Sequence, residues 1–324
     1  MRPAGQFQAF YQAELLPHLQ ELEEKRKQVA SRVVTAGIAT GAATLIGVLV
    51  ILACAPHPAI SLFPAVLGVI LFAYLYYRLT SAYKAQFKDS IIGRIVQYVD
   101  PGLRYDRQGF IAESDYWRST IFLTNPDRYN GEDLVYGKVG KTEVRFSEIH
   151  SEYRTEHRDS KGNRRTEWHT IFKGIFFVAD FNKHFAGETV VLPDTTEKLF
   201  GRLGQMFQSW NIARPGQLVQ LEDVAFEERF VVYSTDQIEA RYLLSPSLMA
   251  RIMDYRVRTN REVYLSFVAS NIYVAIANQR DLFEPKVFTT VLDMALAQQY
   301  LDDLLLAVSI VEDLNLNTRI WTKP

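Results

Sequence analysis

The longest feature in the hydropathy pattern is residues 33–77, a stretch of 45 residues that contains no Asp, Glu, Lys or Arg. Ala55-Pro56-His57-Pro58 divides this stretch into two apolar runs. As an α-helix, the first run (residues 33–54) would be about 33 Å long, close to the roughly 30 Å hydrocarbon core of a bilayer. The second run (residues 62–77) is shorter, but it ends in tyrosines that suit a membrane interface. The pattern therefore predicts a transmembrane helical hairpin over residues 33–78.

Basic residues flank the two apolar runs. Four precede the first run (Lys25, Arg26, Lys27 and Arg32), and four follow the second (Arg78, Lys84, Lys88 and Arg94). Because cytoplasmic segments of membrane proteins carry an excess of Lys and Arg, we predict that both termini are cytoplasmic and that only the turn is outside. A cleaved signal peptide is the alternative. It is disfavoured because the first run begins only at residue 33 and a second run follows at once.

Small residues lie on two adjacent faces of the first run. Gly37 and Gly41 are four residues apart, and Ala39, Ala43 and Gly47 repeat that spacing. Small side chains allow helix backbones to approach closely in a bilayer. We predict that these five residues pack membrane helices, either against the second run or against another copy of the chain. Neither run contains a charged side chain, which argues against an ion path built from these helices alone.

Helical patterns continue on both sides of the hairpin. The apolar residues of the N-terminal segment, residues 1–32, fall at helical spacing: Phe7, Phe10, Tyr11 and Leu15. Pro17 is expected to start a second helix or kink the first. We interpret residues 1–32 as an ordinary cytosolic helix that leads into the membrane. An amphipathic helix on the bilayer or on the soluble domain is the alternative. Residues 79–100 are predicted to form a juxtamembrane helix.

The rest of the chain alternates between strand and helix patterns. A loop-rich stretch (104–140) is followed by strands at 142–153 and 168–179 around a polar turn (159–165), a strand at 189–193 and a helix at 196–210. After a break at 213–216 come strands at 219–221 and 229–233, helix over 235–257, a hairpin over 262–277 and a long helix at 290–315. The predicted fold is α+β: a two-helix transmembrane hairpin followed by a soluble domain of antiparallel β-meanders and packed helices. We expect subdomains at 101–212 and 213–324.

Charge and cysteine content exclude several classes of site. From Ile95 onward the chain has 27 Lys and Arg against 32 Asp and Glu, so this part is acidic and is a poor general binder of nucleic acid. Cys54, inside the first apolar run, is the only cysteine. A disulfide within the chain and a cysteine zinc site are therefore both excluded.

Two sequence blocks resemble a known family. They are FKGIFFVADFNK at residues 172–183 and FVVYSTD with EARYLLSP at residues 230–246. Together with the paired apolar runs and Leu22-Glu23-x-x-Arg26, they are similar to the bacterial membrane-protein family known as domain of unknown function 3137. The resemblance implies an inner-membrane protein with a cytosolic domain, no assigned activity and no transferable catalytic residues. It also implies a LemA-type membrane protein as an expected partner.

Three groups of residues are candidate sites for ligand binding or catalysis. Residues 135–142 nearly match a phosphate loop, but Val135 stands where glycine is needed and a strand pattern follows, so we reject nucleotide binding. Four histidines (His150, His157, His169 and His184) lie around the long hairpin, and we interpret them as solvated strand-face residues. The hairpin tip is basic (Arg154, Arg158, Lys161, Arg164 and Arg165). We interpret it as a solvated turn, with contact to lipid headgroups or an acidic partner as the alternative.

Carboxylates near predicted strand ends are a further group of candidate site residues: Asp180, Asp194, Asp223, Glu227, Glu228 and Asp236. Carboxylates at such positions normally cap helices or stabilise turns. We therefore predict no catalytic, cofactor-binding or metal-binding residues and no cofactor.

The sequence favours a membrane-anchored cytosolic binding or scaffold module of unknown ligand, acting in a membrane protein assembly. Expected partners are the lipid bilayer and either further copies of the chain or another membrane protein, and no nucleic acid. One alternative is a membrane-tethered hydrolase that uses carboxylates or histidines of the central sheet. Another is an accessory subunit of a transporter or an envelope-stress system.

Overall fold

A computed structural model describes residues 4–54, 62–158, 164–181, 185–194 and 216–317. The chain divides into two compact units, one of Met1–Ile95 with Phe283–Tyr300 and the other of Val96–Leu282 with Leu301–Pro324. The first unit contains two long apolar helices, and the second contains an antiparallel sheet with helices. The predicted α+β class is confirmed.

The first unit is built on two long, nearly continuous helices. Helix α1 (Ala4–Phe10) passes through a π-helical turn, Tyr11–Leu15, into α2 (Leu16–Cys54). Pro17 lies directly after this turn, and proline has no N–H to donate to the preceding turn of helix. The helix therefore widens before Pro17 and does not break there. In the same way, α3 (Leu62–Phe87) passes through the π-helical turn Lys88–Ile92 into α4 (Gly93–Val99).

Length and composition allow two N-terminal helices to cross a membrane. Among the described residues, three helices meet these criteria: Gln6–Cys54, Leu62–Val99 and Met294–Asp313. In the apolar windows of the first two, none of the window is buried inside the protein, whereas 56% of the third is buried. An exposed apolar helix surface requires an apolar solvent, so the two N-terminal helices are the ones suited to lipid.

The described strands of the second unit form one nine-stranded antiparallel sheet in the order β1-β2-β3-β4-β9-β8-β5-β7-β6. They are β1 (Leu103–Asp106), β2 (Arg128–Val139), β3 (Thr142–Arg158), β4 (Arg164–Asp180), β5 (Thr189–Pro193), β6 (Gln217–Leu218), β7 (Phe230–Ser234), β8 (Val263–Val268) and β9 (Asn271–Ala277). Strand β4 pairs with β9, and β5 pairs with β8. The sheet therefore includes strands from both sides of the predicted break at 213–216. The subdomain boundary itself stays a prediction.

Five helices complete the described structure: α5 (Glu113–Arg118), α6 (Val224–Glu227), α7 (Gln237–Leu243), α8 (Pro246–Thr259) and α9 (Met294–Asp313). Polar side chains begin three of them, since Asp223, Asp236 and Ser245 each accept a hydrogen bond from a backbone N–H in the first turn. A core on one face of the sheet centres on Tyr116, which stacks on Phe122 and is tilted against Phe176.

Two strand predictions were wrong. Residues 104–140, expected to be loop-rich, contain most of β1, all of α5 and all of β2. The pattern of β2 is hard to recognise because the β2–β3 register shifts between Glu132 and Val135, where Asp133 has φ +62°. The strand expected at 219–221 lies earlier, at Gln217–Leu218. The helix predicted at 196–210, His184, and the turns at 55–58 and 159–163 lie outside the described residues.

Gly174 occupies a position in β4 that only glycine fits well. Its φ is +152°, and an added Cβ would collide with the carbonyl oxygen of Ile276 on β9. We expect Gly174→Ala to lower the free energy of unfolding by about 1–3 kcal/mol from backbone strain alone, and the collision adds to this cost. Denaturation in mild detergent measures the loss. Gly41→Ala is the matched control, because a Cβ there meets no atom within 4 Å. Equal stability of the two variants would contradict the prediction.

Candidate membrane-proximal site

Helices α2 and α3 pack against each other along part of the predicted small-residue faces. A Cβ on Gly37 would lie 3.2 Å from Phe72 Cε2, and one on Gly47 would lie 3.3 Å from Pro64 Cβ, so both glycines face the second helix. Gly41 has nothing within 4 Å of that position, and Ala39 and Ala43 are exposed. The five predicted packing residues thus divide into an inner pair and an outer group.

The segment Phe283–Tyr300, here named the strap, belongs to the first unit although it lies far along the chain. Glu284 of the strap binds two lysines of the second long helix: its Oε2 accepts from Lys84 Nζ at 2.7 Å, and its Oε1 lies 2.7 Å from Lys88 Nζ. The lysines are four residues apart, so they share a helix face. The Lys88 side chain is only 3% exposed. The strap is thereby held to α3 and to the π-helical turn that follows it by a largely buried ionic contact.

A second charged contact joins the strap to α2. Glu23 and Arg26 form a bidentate pair, with Arg26 Nη2 and Nε donating to the two Glu23 oxygens at 2.7 and 2.8 Å. Arg26 Nη1 also donates to the backbone oxygen of Val287 at 2.8 Å, and Glu23 Oε2 accepts from the backbone N–H of Val291 at 3.1 Å. Farther along, Tyr11 donates its hydroxyl to the backbone oxygen of Leu292 at 2.6 Å. The charges of α2 thus satisfy backbone groups of the strap.

These contacts set the titration of the site. Hydrogen bonding to Arg26 is the main cause that lowers the pKa of Glu23 to about 2, and the N–H of Val291 acts in the same direction. Burial on its own would raise the pKa of Glu284, but the charges and hydrogen bonds of Lys88 and Lys84 outweigh it and hold the pKa below its ordinary value. Burial raises the pKa of Tyr83, beside Arg26 and Glu23. Both carboxylates are therefore ionised at neutral pH, as ion pairing requires.

The N-terminal segment is part of this site. The apolar face formed by Phe7, Tyr11, Leu15, Leu19 and Leu22 is buried in the protein. Since Tyr11 also bonds the strap, this segment is more than a lead-in to the membrane. The interpretation of residues 1–32 as a cytosolic helix that leads into the membrane stays a prediction, as does the alternative of an amphipathic helix on the bilayer or on the soluble domain.

Among the described residues, one carboxylate cluster in the second unit has the spacing of a possible metal site. Carboxylate oxygens of Glu132, Asp133 and Glu148 lie within 4.8 Å of one another. Asp133 accepts a short hydrogen bond from Tyr105, and Glu148 Oε2 accepts from the buried N–H of Leu282 at 2.8 Å. Burial is the main cause that raises the pKa of Glu148 to about 7, and the neighbouring carboxylates of Asp281, Glu132 and Asp133 act in the same direction. Carboxylate oxygens suit hard cations such as Ca²⁺ or Mg²⁺.

The other predicted chemical groups are dispersed. In the β3–β4 pairing, His150 lies opposite Lys173, His157 opposite Arg165 and His169 opposite Tyr153. The described histidines of the hairpin therefore occupy separate register positions. The former phosphate-loop candidate is a β2–β3 hairpin, with its turn at Gly140 and Lys141. No helix follows it, so its amide groups cannot converge on a phosphate in the way a nucleotide site needs.

Arginine side chains at the base of the hairpin are engaged locally. The Arg128 guanidinium lies 3.5 Å from the centre of the Trp168 ring. Arg154 lies beside Asp127, with Nε 3.7 Å from a carboxylate oxygen. Of the residues of the predicted basic tip, Arg154 is thus paired with a carboxylate.

Sequence reasoning missed the strap and the carboxylate cluster. Glu284 is 200 positions from Lys84, and Leu282 is 134 positions from Glu148. Two local signals existed: the spacing of Glu23 and Arg26 suits a pair on one helix turn, and the spacing of Lys84 and Lys88 suits one helix face. Neither signal identifies the distant partner.

A comparison with curated proteins finds no match. Comparisons with solved structures and with family models each give one result. The crystal structure of the mycobacterial trehalose monomycolate transport factor A, TtfA, is similar over 66% of this chain and 95% of that chain, with a TM-score of 0.35 and 11% sequence identity. A family model matches residues 170–316, which include both sequence blocks that carried the resemblance. The matched family is described as protein of unknown function (DUF3137), and the chain is similar to it over this region.

Proposed function

We propose that the chain is a membrane-anchored cytosolic binding or scaffold module that acts in a membrane protein assembly. The observation that carries the proposal is the pair of helices Gln6–Cys54 and Leu62–Val99, whose apolar windows contain no share buried inside the protein. Lipid is the solvent that this surface requires. The flanking basic residues favour a two-pass arrangement in a bacterial inner membrane with both termini cytoplasmic.

The strap supports a role in assembly. It is a late part of the chain, yet Glu284 binds Lys84 and Lys88 close to the second apolar run, and Val287 and Val291 bind the helix that leads into the first. Such contacts couple the membrane helices to a segment that continues directly from the sheet-bearing part of the chain. A segment that binds both long N-terminal helices suits a module in which those helices keep a fixed arrangement.

The outer small-residue group supports self-association or binding of another membrane protein, such as a LemA-type protein. Gly41 has open space around its Cα, and Ala39 and Ala43 are exposed beside it. Close helix packing in lipid depends on such surfaces. Gly37 and Gly47, in contrast, face α3 within the chain.

Affinity purification after crosslinking in native membranes tests the proposal. We expect recovery of an oligomer of the chain or of the chain with another membrane protein. We also expect Gly41→Leu to reduce that recovery at least several-fold while insertion is retained. Ile38→Leu, at an exposed position on the same helix, is the matched control. Recovery of the wild-type protein alone, as a monomer, would contradict the scaffold function.

A further inference from the structure

The strap has a turn that approaches the membrane helices at the level of their basic flanks. Glu284 binds Lys84 and Lys88, and the backbone oxygen of Val287 accepts a hydrogen bond from Arg26. The chain then continues to Val291, whose N–H donates to Glu23. Continuing, Leu292 is bound at Tyr11. The strap therefore runs away from the bilayer after residue 287, and residues 284–288 are its part nearest the apolar runs.

The distance to the bilayer follows from helix geometry. Arg26 precedes the first apolar run by seven residues, and Lys84 follows the second by seven. At 1.5 Å per residue, each contact lies about 10 Å along its helix from the predicted hydrocarbon edge. The polar headgroup layer is about 5–8 Å thick on each side of the core. The anchoring contacts of residues 284–288 therefore lie just outside the headgroup layer, and long side chains from this turn can reach into it.

The side chains at this turn suit that position. Val287 is buried, while its neighbours Lys286 and Phe288 are exposed. Phe288 is 59% exposed, so a large apolar ring faces outward from a segment that is otherwise held by buried contacts. An aromatic ring suits the headgroup level of a bilayer, and lysine is attracted to anionic headgroups. Lys286 and Phe288, on either side of the buried Val287, therefore form a small surface suited to a membrane interface.

We propose that Lys286 and Phe288 form a third contact with the bilayer, in addition to the two apolar helices, with an anionic lipid headgroup layer as the partner. The Phe288 ring enters the interfacial layer, and the Lys286 ammonium binds phosphate or carboxylate headgroups. Glu284 and Arg26 hold the turn at this depth through the contacts described above. The proposal rests on the membrane anchoring in the proposed function.

Site-specific fluorescence in reconstituted vesicles tests the contact. Because Cys54 is the only cysteine, Cys54→Ala provides a background for single cysteines labelled with an environment-sensitive dye. Phe288→Cys reports the turn. Leu45→Cys reports the exposed face of the first apolar helix, and Ala13→Cys reports an exposed position of the first unit that lies 20 residues before the run. Vesicles carry a quencher on the lipid, with or without an anionic phospholipid.

We expect labels at 45 and 288 to be quenched several-fold more than the label at 13. We also expect quenching at 288 to increase with anionic lipid and to lose that increase in Lys286→Gln. Quenching at 45 with a water-like signal at 288 would overturn the third contact and leave the anchor intact. A water-like signal at 45 as well would overturn the anchoring itself. Quenching at 288 without dependence on anionic lipid would overturn the headgroup assignment.

Discussion

Replacing Glu284 with alanine should destabilise the first unit by about 3–5 kcal/mol, the usual cost of removing one member of a buried ion pair. The reason is Lys88, whose side chain is 3% exposed and whose Nζ lies 2.7 Å from Glu284 Oε1. Without the carboxylate, the ammonium must remain charged in a poorly solvated place or lose its proton, and either costs free energy. We expect the strap to detach from α3 and unfold at a lower denaturant concentration than in the wild type. Hydrogen exchange of residues 283–300, together with denaturation in detergent, measures it.

Two variants separate the buried pair from surface charge. Lys84→Ala should cost far less, because that side chain is 35% exposed. The double variant Lys88→Met with Glu284→Leu should recover most of the loss, since apolar residues of similar volume often replace a buried pair without cost. If Glu284→Ala and Lys84→Ala have equal small effects, the strap is not fixed by this contact.

Replacing Glu148 with glutamine should stabilise the protein at pH 8 and leave it nearly unchanged at pH 4. Burial and neighbouring carboxylates raise the folded pKa of Glu148 to about 7, from 4.5. The folded state then binds more protons than the unfolded state between these values, so stability falls as pH rises from about 4.5 to about 7. Above pH 7 the carboxylate carries a constant penalty on the order of 3 kcal/mol. Glutamine removes that charge and retains an oxygen that can accept from the N–H of Leu282.

Denaturation of the wild type and Glu148→Gln at pH 4, 6 and 8 measures this effect. Glu143→Gln is the matched control, because Glu143 lies on the same strand with an exposed side chain paired to Lys138. We expect the gain from Glu148→Gln to grow with pH and the control to show little change. A loss of stability in Glu148→Gln at pH 8 would mean that the charge itself, bound to an N–H or to a cation, is required there.

Local patterns predicted much of the fold because each depends on neighbouring residues. The charge-free stretch 33–77 indicates both apolar helices without any knowledge of their partners. The alternation in residues 142–153 and the apolar run at 168–179 indicated β3 and β4, and residues 271–277 coincide with β9. Strand β2 escaped recognition because the bulge at Asp133 and the glycines at 131 and 137 interrupt its alternation.

The sites were harder to predict because they join residues that are distant in sequence. A lysine at position 88 has the same local pattern whether it faces water or Glu284. Glu148, likewise, lies in a strand where a carboxylate would ordinarily face solvent. Its burial depends on packing that no local period encodes. Charged residues in particular are assumed to be exposed, so buried pairs are the contacts that sequence patterns conceal most often.

Labelling of single cysteines in right-side-out membrane vesicles tests most directly that this chain is anchored as a two-pass hairpin with its soluble part in the cytoplasm. In a Cys54→Ala background, His57→Cys lies in the predicted outer turn and Lys27→Cys precedes the first apolar run. We expect a membrane-impermeant maleimide to label position 57 directly and position 27 only after permeabilisation. Labelling of position 27 in sealed vesicles, or protection of position 57 until permeabilisation, would contradict it.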